Sequence, residues 1–364
     1  MLDCRGFDFL DSDFSKAFSE QIKTASFEKR PLRIRGGGTK DFYGNEPRGE
    51  ILDASAHSGI VDYEPTELVV SVRSGTLLCD LEKTLSAQGQ FLAFEPPHFG
   101  PAATIGGCVA AGLSGPRRAS AGSVRDFILG AKVIDGRGDL LAFGGQVMKN
   151  VAGYDVSRLL TGSLGTLGLI LEVSLKVLPR PPAETTLTLE MPQGRALENL
   201  NRWAGQPLPI SASSWRDGEL SLRLSGAKSA IAAAAEKLGG ETLASDAAAR
   251  FWAGIREQTD PFFSGEAPLW RLSLPSHAAS LELPGEQLLE WGGALRWLRS
   301  GAEAAVVRAA AARAGGHATL FRAHDRSQGA FSPLPPVLAR LHRELKNAFD
   351  PAGILNPGRL YPGL

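Results

Sequence analysis

The chain has 364 residues, room for two domains at roughly 150 residues each, and its 43% hydrophobic and 21% charged content excludes a disordered chain. Lysine plus arginine balance aspartate plus glutamate at 39 each, so no net field draws it to nucleic acid or to an anionic membrane surface. The three cysteines, Cys4, Cys79 and Cys108, form no CxxC pair, which excludes a sequence-encoded cysteine-bound iron-sulfur cluster and argues against a disulfide framework.

Strands joined by glycine turns are predicted over 32–35, 67–72, 131–135 and 167–178, where β-branched or alternating runs end in Gly, Pro or Asp. Between the second and third, residues 76–87 put Leu77, Leu78, Leu81 and Leu85 on one helical face, opened by an SGT turn and closed by Gly89. PRPP, Pro179 to Pro182, interrupts helix and central strand alike and predicts a domain boundary. Beyond it strands at 185–189, 210–214 and 220–224 alternate with helices at 195–204 and 227–238, followed by an alanine-rich helix around Val306. That middle part reads as an antiparallel sheet covered by helices. After SPLPP a helix with Val337, Leu338, Leu341, Leu345 and Phe349 on one face leads into a turn-rich tail, which is expected to pack back on the first domain. The first thirty residues have no basic start followed by an apolar run, and no uncharged apolar stretch of about 18 residues occurs. A cytoplasmic, soluble chain without a transmembrane segment is expected.

The glycines, 42 in all, crowd between Gly36 and Gly168. RGGGTK, Arg35 to Lys40, leaves a strand into a loop whose glycines can take positive φ and present backbone N–H groups to an anion such as a diphosphate. Alone it reads as readily as a tight surface turn, and it is neither a Walker loop nor a GxGxxG turn. Two further stretches, 96–130 and 162–179, are rich in small residues that cannot fill a core, and suit a surface on which something flat and extended lies.

RGGGTK, ATIGG, KNVAGYDVSRLLTGSLGTLGLILEVSLKVLP and AFDPAGILNPGRLYP resemble, in this order, the signatures of the vanillyl-alcohol oxidase and p-cresol methylhydroxylase flavoproteins, and are spread over the first half of the chain and its C-terminal end. Within that family the chain resembles the FAD-binding subunits of bacterial glycolate oxidase complexes. The resemblance implies an α+β fold: a p-cresol methylhydroxylase-type FAD-binding domain over 1–181, joined by the C-terminal segment 333–364, and an α+β cap domain over 183–332. It implies FAD, a small 2-hydroxy acid, and two partners, a larger related flavin subunit and an iron-sulfur subunit, through which any approach to the inner membrane would be made. Position by position, Arg35, Gly36, Gly37, Gly38, Thr39 and Lys40 would hold the diphosphate. Pro97, Ala103, Thr104, Ile105, Gly106 and Gly107 would flank the isoalloxazine and ribityl parts. Ser114, Ala121, Gly122 and Asp126 would lie farther along the cofactor. Gly165, Thr166, Leu167, Gly168 and Ile170 would contact its adenosine or diphosphate half, with Asn356 approaching the flavin. Where relatives often carry a flavin-linking histidine, Thr39 stands, so dissociable FAD is expected.

Oxidising a 2-hydroxy acid needs a cation for the carboxylate and a base for the hydroxyl proton. The GDGNxH-like metal segment and the glutamate-histidine pair of related dehydrogenases are missing, and no metal is expected. In GGHATLFRAHDR, strand alternation would put Arg322, His324 and Arg326 on one face, and His324 with Arg322 are the candidate catalytic pair. The competing reading makes them surface or interface residues and the chain a cofactor-binding or scaffolding subunit whose larger relative oxidises the acid. His98 reads equally as a flavin-facing or a turn residue, Cys108 as a small buried hydrophobe, and the six tryptophans, all after PRPP, as core or as a partner surface.

Overall fold

The computed structural model describes residues 7–145 and 155–364. Cys4 and the 149–154 part of the KNVAGYDVSRLL motif fall outside them.

A long helix, Phe7–Glu28, leads into strand Leu32–Arg35, which pairs in parallel with Glu50–Asp53. The far end of the chain returns to the same strand: Leu32 N donates to Ile354 O at 2.7 Å, and Leu32 and Leu355 form a parallel bridge. A five-stranded antiparallel sheet follows, ordered Ile60–Glu64, Val69–Arg73, Leu169–Lys176, Ile128–Ile134 and Leu140–Gly144. Its central strand, Leu169–Lys176, is buried at every position but the last, and the two polar residues within it, Glu172 and Ser174, meet Lys132 Nζ and Ser71 Oγ on the flanking strands. Helix Leu78–Ala87 lies on this sheet and buries Leu78, Leu81 and Leu85. Each of these leucines contributes about 1.5–3 kcal/mol by leaving water.

Past the prolines, eight antiparallel strands between Ala183 and Arg322 form the second sheet. Alternation divides its far half into two faces. Trp270, Leu272, Leu298 and Leu320 pack under helix Ala304–Arg313. Leu269, Leu288, Leu295, Trp297 and Phe321 pack instead against Tyr43, Leu113 and Leu164 of the first half. Five tryptophans, at 203, 252, 270, 291 and 297, are buried, and the half-buried Trp215 donates its indole N–H to Met191 O at 2.9 Å. They build core.

The structure refines one sequence expectation and corrects another. Helix Pro336–Phe349 packs only Leu345 and Phe349 on the core, while Val337, Leu338 and Leu341 are 62%, 45% and 49% exposed. The helix meets the sheet through its C-terminal half, where Lys346 is buried. The last strand stops at Arg322, so its alternation never reaches His324.

Candidate functional site

Three glycine-rich stretches and the returning tail border a half-open cleft. Its floor comes from the RGGGTK turn, the start of helix Ile105–Ala111, the loop that enters strand Leu169–Lys176, and Asn356 with Arg359. The three glycines of the turn do different work. Only Gly38, at φ +70°, sits in the left-handed region, whereas a side chain on Gly36 would strike Thr104 Oγ1 and one on Gly37 the carbonyl of Ala102. Glycine here lets two main chains approach each other.

Thr104 caps helix Ile105–Ala111 by accepting from Gly107 N at 3.3 Å. Ser74 Oγ, buried in the cleft wall, has no hydrogen-bond partner among the described residues, and such a group calls for a ligand or water. Asn356 turns both ends of its amide inward: Oδ1 accepts from Ile34 N at 2.7 Å and Nδ2 donates to Leu164 O at 2.5 Å. It fastens one wall to the other while its surface lines the cleft. Arg359, its guanidinium pushed down to about 10 by burial, donates to Lys40 O and Asp41 O, and so ties the tail to the turn. The tail itself is held by a buried ion pair, Lys346 to Asp350 at 2.7 Å, in which Lys346 also donates to Thr166 O and Leu355 O.

The predicted residues divide. Arg35, Gly36, Gly37, Gly38, Thr39, Lys40, Thr104, Gly106, Gly107, Gly165, Gly168, Ile170 and Asn356 all line the cleft. Ala103, Ile105 and Leu167 lie in the core beneath it, and Thr166 is buried with its hydroxyl on Ser163 O. Gly122 and Asp126 form a separate turn, where Asp126 accepts from Ser123 N at 2.8 Å in a capping box for the short helix Val124–Phe127. Ala121 packs partly buried on the core beside them. Ser74, Ala110, Ala111, Leu164 and Arg359 line the cleft without having been singled out. The SGT turn at Ser74 and the arginine of NPGRLYP were the available signals.

Thr39 Oγ1 and Lys40 Nζ both donate to His98 O, at 2.8 and 3.2 Å. His98 is thereby a turn residue whose carbonyl braces the glycine loop, and its Nε2 stands 3.2 Å from Glu82. Burial lowers the Lys40 ammonium, opposed by Cys108 and Glu257, and pushes the Cys108 thiol up to about 12. Cys108 is an inert core residue. Glu257 accepts from the N–H groups of both His98 and Phe99, joining the second sheet's helix Ser245–Glu257 to this turn.

Arg322 is half-buried, with its guanidinium 4.4 Å from the Phe42 ring centre and 5.1 Å from that of Phe99. His324, beyond the strand end, is exposed, and Arg326 donates to Gly44 O at 2.6 Å. The three do not share a face.

A second, much smaller cavity lies between the two halves, with Pro97, Phe99 and Ser114 on one side and Arg271, Glu290, Trp297 and Phe321 on the other. Burial pushes the Glu290 carboxyl from its ordinary 4.5 up to about 7, opposed by the Trp297 indole hydrogen bond and by Arg271. As pH rises from 4.5 through about 7, the unfolded chain ionises at this position while the folded chain keeps its proton, so stability is lost across that window. In Glu290→Gln this part of the pH dependence should disappear from a series of thermal unfolding midpoints. A slope unchanged from the parent's would show that Glu290 ionises normally.

Residues 15–144 match the family described as an FAD binding domain, and residues 333–360 match the C-terminal domain of FAD-linked oxidases. The chain is 51% identical to glycolate oxidase subunit GlcE of Escherichia coli (strain K12), over 97% of this chain and 99% of that one. It is 33% identical to glycolate oxidase subunit GlcD of Bacillus subtilis (strain 168), over 46% of this chain and 36% of that one. Among solved structures, 4-ethylphenol oxidase from Gulosibacter chungangensis superposes with a TM-score of 0.69 at 14% identity, covering 96% of this chain and 88% of that one, which is a likeness of fold.

Proposed function

The chain belongs to the GlcE family of FAD-linked glycolate oxidase subunits, and from that membership we propose that it is the FAD-binding subunit of a complex that oxidises glycolate or a similar 2-hydroxy acid. In this reading, residues 1–181 with 333–364 hold the cofactor and 183–332 form the cap. Its partners are a larger flavin subunit and an iron-sulfur subunit.

The observation that carries the proposal is the cleft itself, around which main chain from Arg35–Lys40, 106–107 and 165–170 converges with the tail, brought that close because glycine spares the segments the side chains that would hold them apart. Backbone N–H groups of the glycine turn would face the diphosphate. The unpartnered Ser74 hydroxyl would gain a partner from the cofactor. Bound FAD supplies a two-electron acceptor for the hydrogen leaving the hydroxyl-bearing carbon. The chain's own part is to orient: Lys40 and Thr39 fix the His98 turn, and Arg359 fixes the glycine loop. With Thr39 in place of a linking histidine, the flavin is held by burial and hydrogen bonds alone.

A second reading, in which the larger relative oxidises the acid and this flavin relays electrons or is structural, is favoured by one observation: His324 stands in solvent, away from Arg322. Anaerobic mixing of the flavin-loaded chain with glycolate separates the two. Bleaching of the isolated chain supports the first reading, and bleaching only after the partner subunits are added supports the second. A flavin that glycolate or D-lactate bleaches in neither case contradicts the first reading and the relay, and leaves a structural flavin.

A further inference from the structure

The turn from Pro96 to Gly100 is gripped from two sides. Phe99 stands at φ +55°, in the left-handed region that a bulky residue keeps only where its surroundings hold it there. In that conformation the successive N–H groups of His98 and Phe99 converge into a nest for an anion. The anion comes from the second half of the chain: Glu257, the last residue of helix Ser245–Glu257, accepts through Oε2 from His98 N at 3.0 Å and from Phe99 N at 2.9 Å. Its other oxygen accepts from Arg256 Nε at 2.8 Å, and the side chain is only 22% exposed. The opposite side of the turn lies along the glycine loop. His98 O accepts from Thr39 Oγ1 and Lys40 Nζ, Gly100 faces Thr39, and the carbonyl of Ala102 lies against Gly37. Lys40 Nζ also stands 5.6 Å from the centre of the Phe99 ring. Other hydrogen bonds between the two halves land away from this loop: Trp291 Nε1 donates to Gly115 O at 3.0 Å, and Arg223 to the Glu95 carboxylate at 2.9 Å. His98 therefore makes a linkage one residue long, its N–H on the helix carboxylate and its C=O on two side chains of the glycine loop.

We propose that Glu257 is a positioning residue for the cofactor loop: its carboxylate seats the His98–Phe99 turn, and through the His98 carbonyl that turn fixes Thr39 and Lys40, so that the cap and the glycine loop are set by one contact. That the loop holds FAD rests on the proposed function, while the link from Glu257 to the loop rests on the distances alone. A carboxylate receiving two backbone N–H groups makes strong, directional bonds, and here they hold a backbone conformation that Phe99 would otherwise leave. Released from Glu257, the turn can relax, its carbonyl leaves the Thr39 and Lys40 donors, and residues 36–40 lose the brace on their outer side. A loop that must then be ordered by the cofactor binds it more weakly than one ordered beforehand.

Hydrogen–deuterium exchange of the full chain stripped of flavin, read by mass spectrometry over residues 36–41, tests the link, and equilibrium dialysis of the same proteins against FAD tests its consequence. In Glu257→Ala, shown to be folded by circular dichroism, exchange over 36–41 should be at least about tenfold faster and FAD affinity at least about tenfold weaker, the size expected from losing hydrogen bonds to a charged group. Exchange in helix Ala304–Arg313, remote from the turn, should stay as in the parent. Glu257→Gln, which keeps an acceptor without the charge, should fall between the two. Glu257→Asp keeps the charge but is one methylene too short to span both amides, and it should speed loop exchange by at least about threefold, which decides the matter if the alanine variant does not fold. Trp291→Phe breaks a different hydrogen bond between the halves and should lower the melting temperature while leaving exchange over 36–41 as in the parent. Parental loop exchange in a folded Glu257→Ala or Glu257→Asp chain overturns the proposal. So does equal acceleration in Trp291→Phe, because any loosened contact of the cap would then suffice. A parent that neither carries nor takes up FAD contradicts the proposed function instead, and the exchange measurement on that protein still decides the link.

Discussion

Replacing Gly37 with alanine should yield a chain that purifies without flavin. A Cβ at that position would lie 1.5 Å from the carbonyl oxygen of Ala102 and 2.5 Å from its carbonyl carbon. Those are main-chain atoms, so no rotamer change relieves the overlap, and the glycine turn must move away from the segment that leads into Thr104 and helix Ile105–Ala111. Both segments line the cleft. Overpacking of this kind costs about 1–3 kcal/mol even where side chains can yield, and here the displacement falls on the groups that would touch the cofactor, so FAD affinity should drop by at least about 100-fold. Gly194→Ala is the control, since a Cβ there meets nothing within 4 Å, and it should stay as yellow as the parent. Equilibrium dialysis against FAD, with circular dichroism to establish that the variant is folded, measures the difference. A Gly37→Ala chain with parental affinity would mean that the turn does not border the cofactor.

Lys346→Met should lower the melting temperature by about 5 °C and loosen FAD with it. The Lys346 ammonium donates to Asp350 Oδ2, Thr166 O and Leu355 O at 2.7, 2.8 and 2.7 Å. Burial lowers its pKa and the Asp350 carboxylate opposes that shift. Removing one member of a buried pair costs about 3–5 kcal/mol, because the other is left as an uncompensated charge. In a chain of 364 residues, at about 2.1 cal/mol/K of unfolding entropy per residue, each kcal/mol shifts the midpoint by about 1–1.5 °C. The loss also travels to the site, because Asp350 receives the N–H groups of Ile354 and Leu355, the residues that seat the tail beside Leu32 and place Asn356 between the two walls. Differential scanning calorimetry with and without added FAD reads both effects. A melting temperature within a degree or two of the parent's would show that the pair is not what holds the tail.

Much of this was legible in the sequence because it depends on local chemistry. The β-branched, partly alternating run over 167–178 marked a strand, which is the central one of its sheet, and the leucines at 78, 81 and 85 marked a helix facing it. The proline break marked the passage from one sheet to the other. What stayed hidden depends on contacts distant in sequence. The need for glycine at 36 and 37 comes from residues 102–104, so positive φ was the natural guess for all three glycines although only Gly38 adopts it. The exposure of Val337, Leu338 and Leu341 follows from where their helix docks, which periodicity cannot report. His324 was grouped with Arg322 by extending an alternation two residues past the strand end. Arg271 and Glu290 carry no motif at all, and they reach one cavity only because strand register across three strands turns both toward the first half of the chain.

The most direct test of the glycine-walled cleft as a dissociable FAD site is the visible absorption spectrum of freshly purified chain, followed by acid precipitation. The expected result is an oxidised-flavin spectrum whose colour passes entirely into the supernatant, identified there as FAD. Colourless protein that takes up no added FAD under native conditions would contradict it.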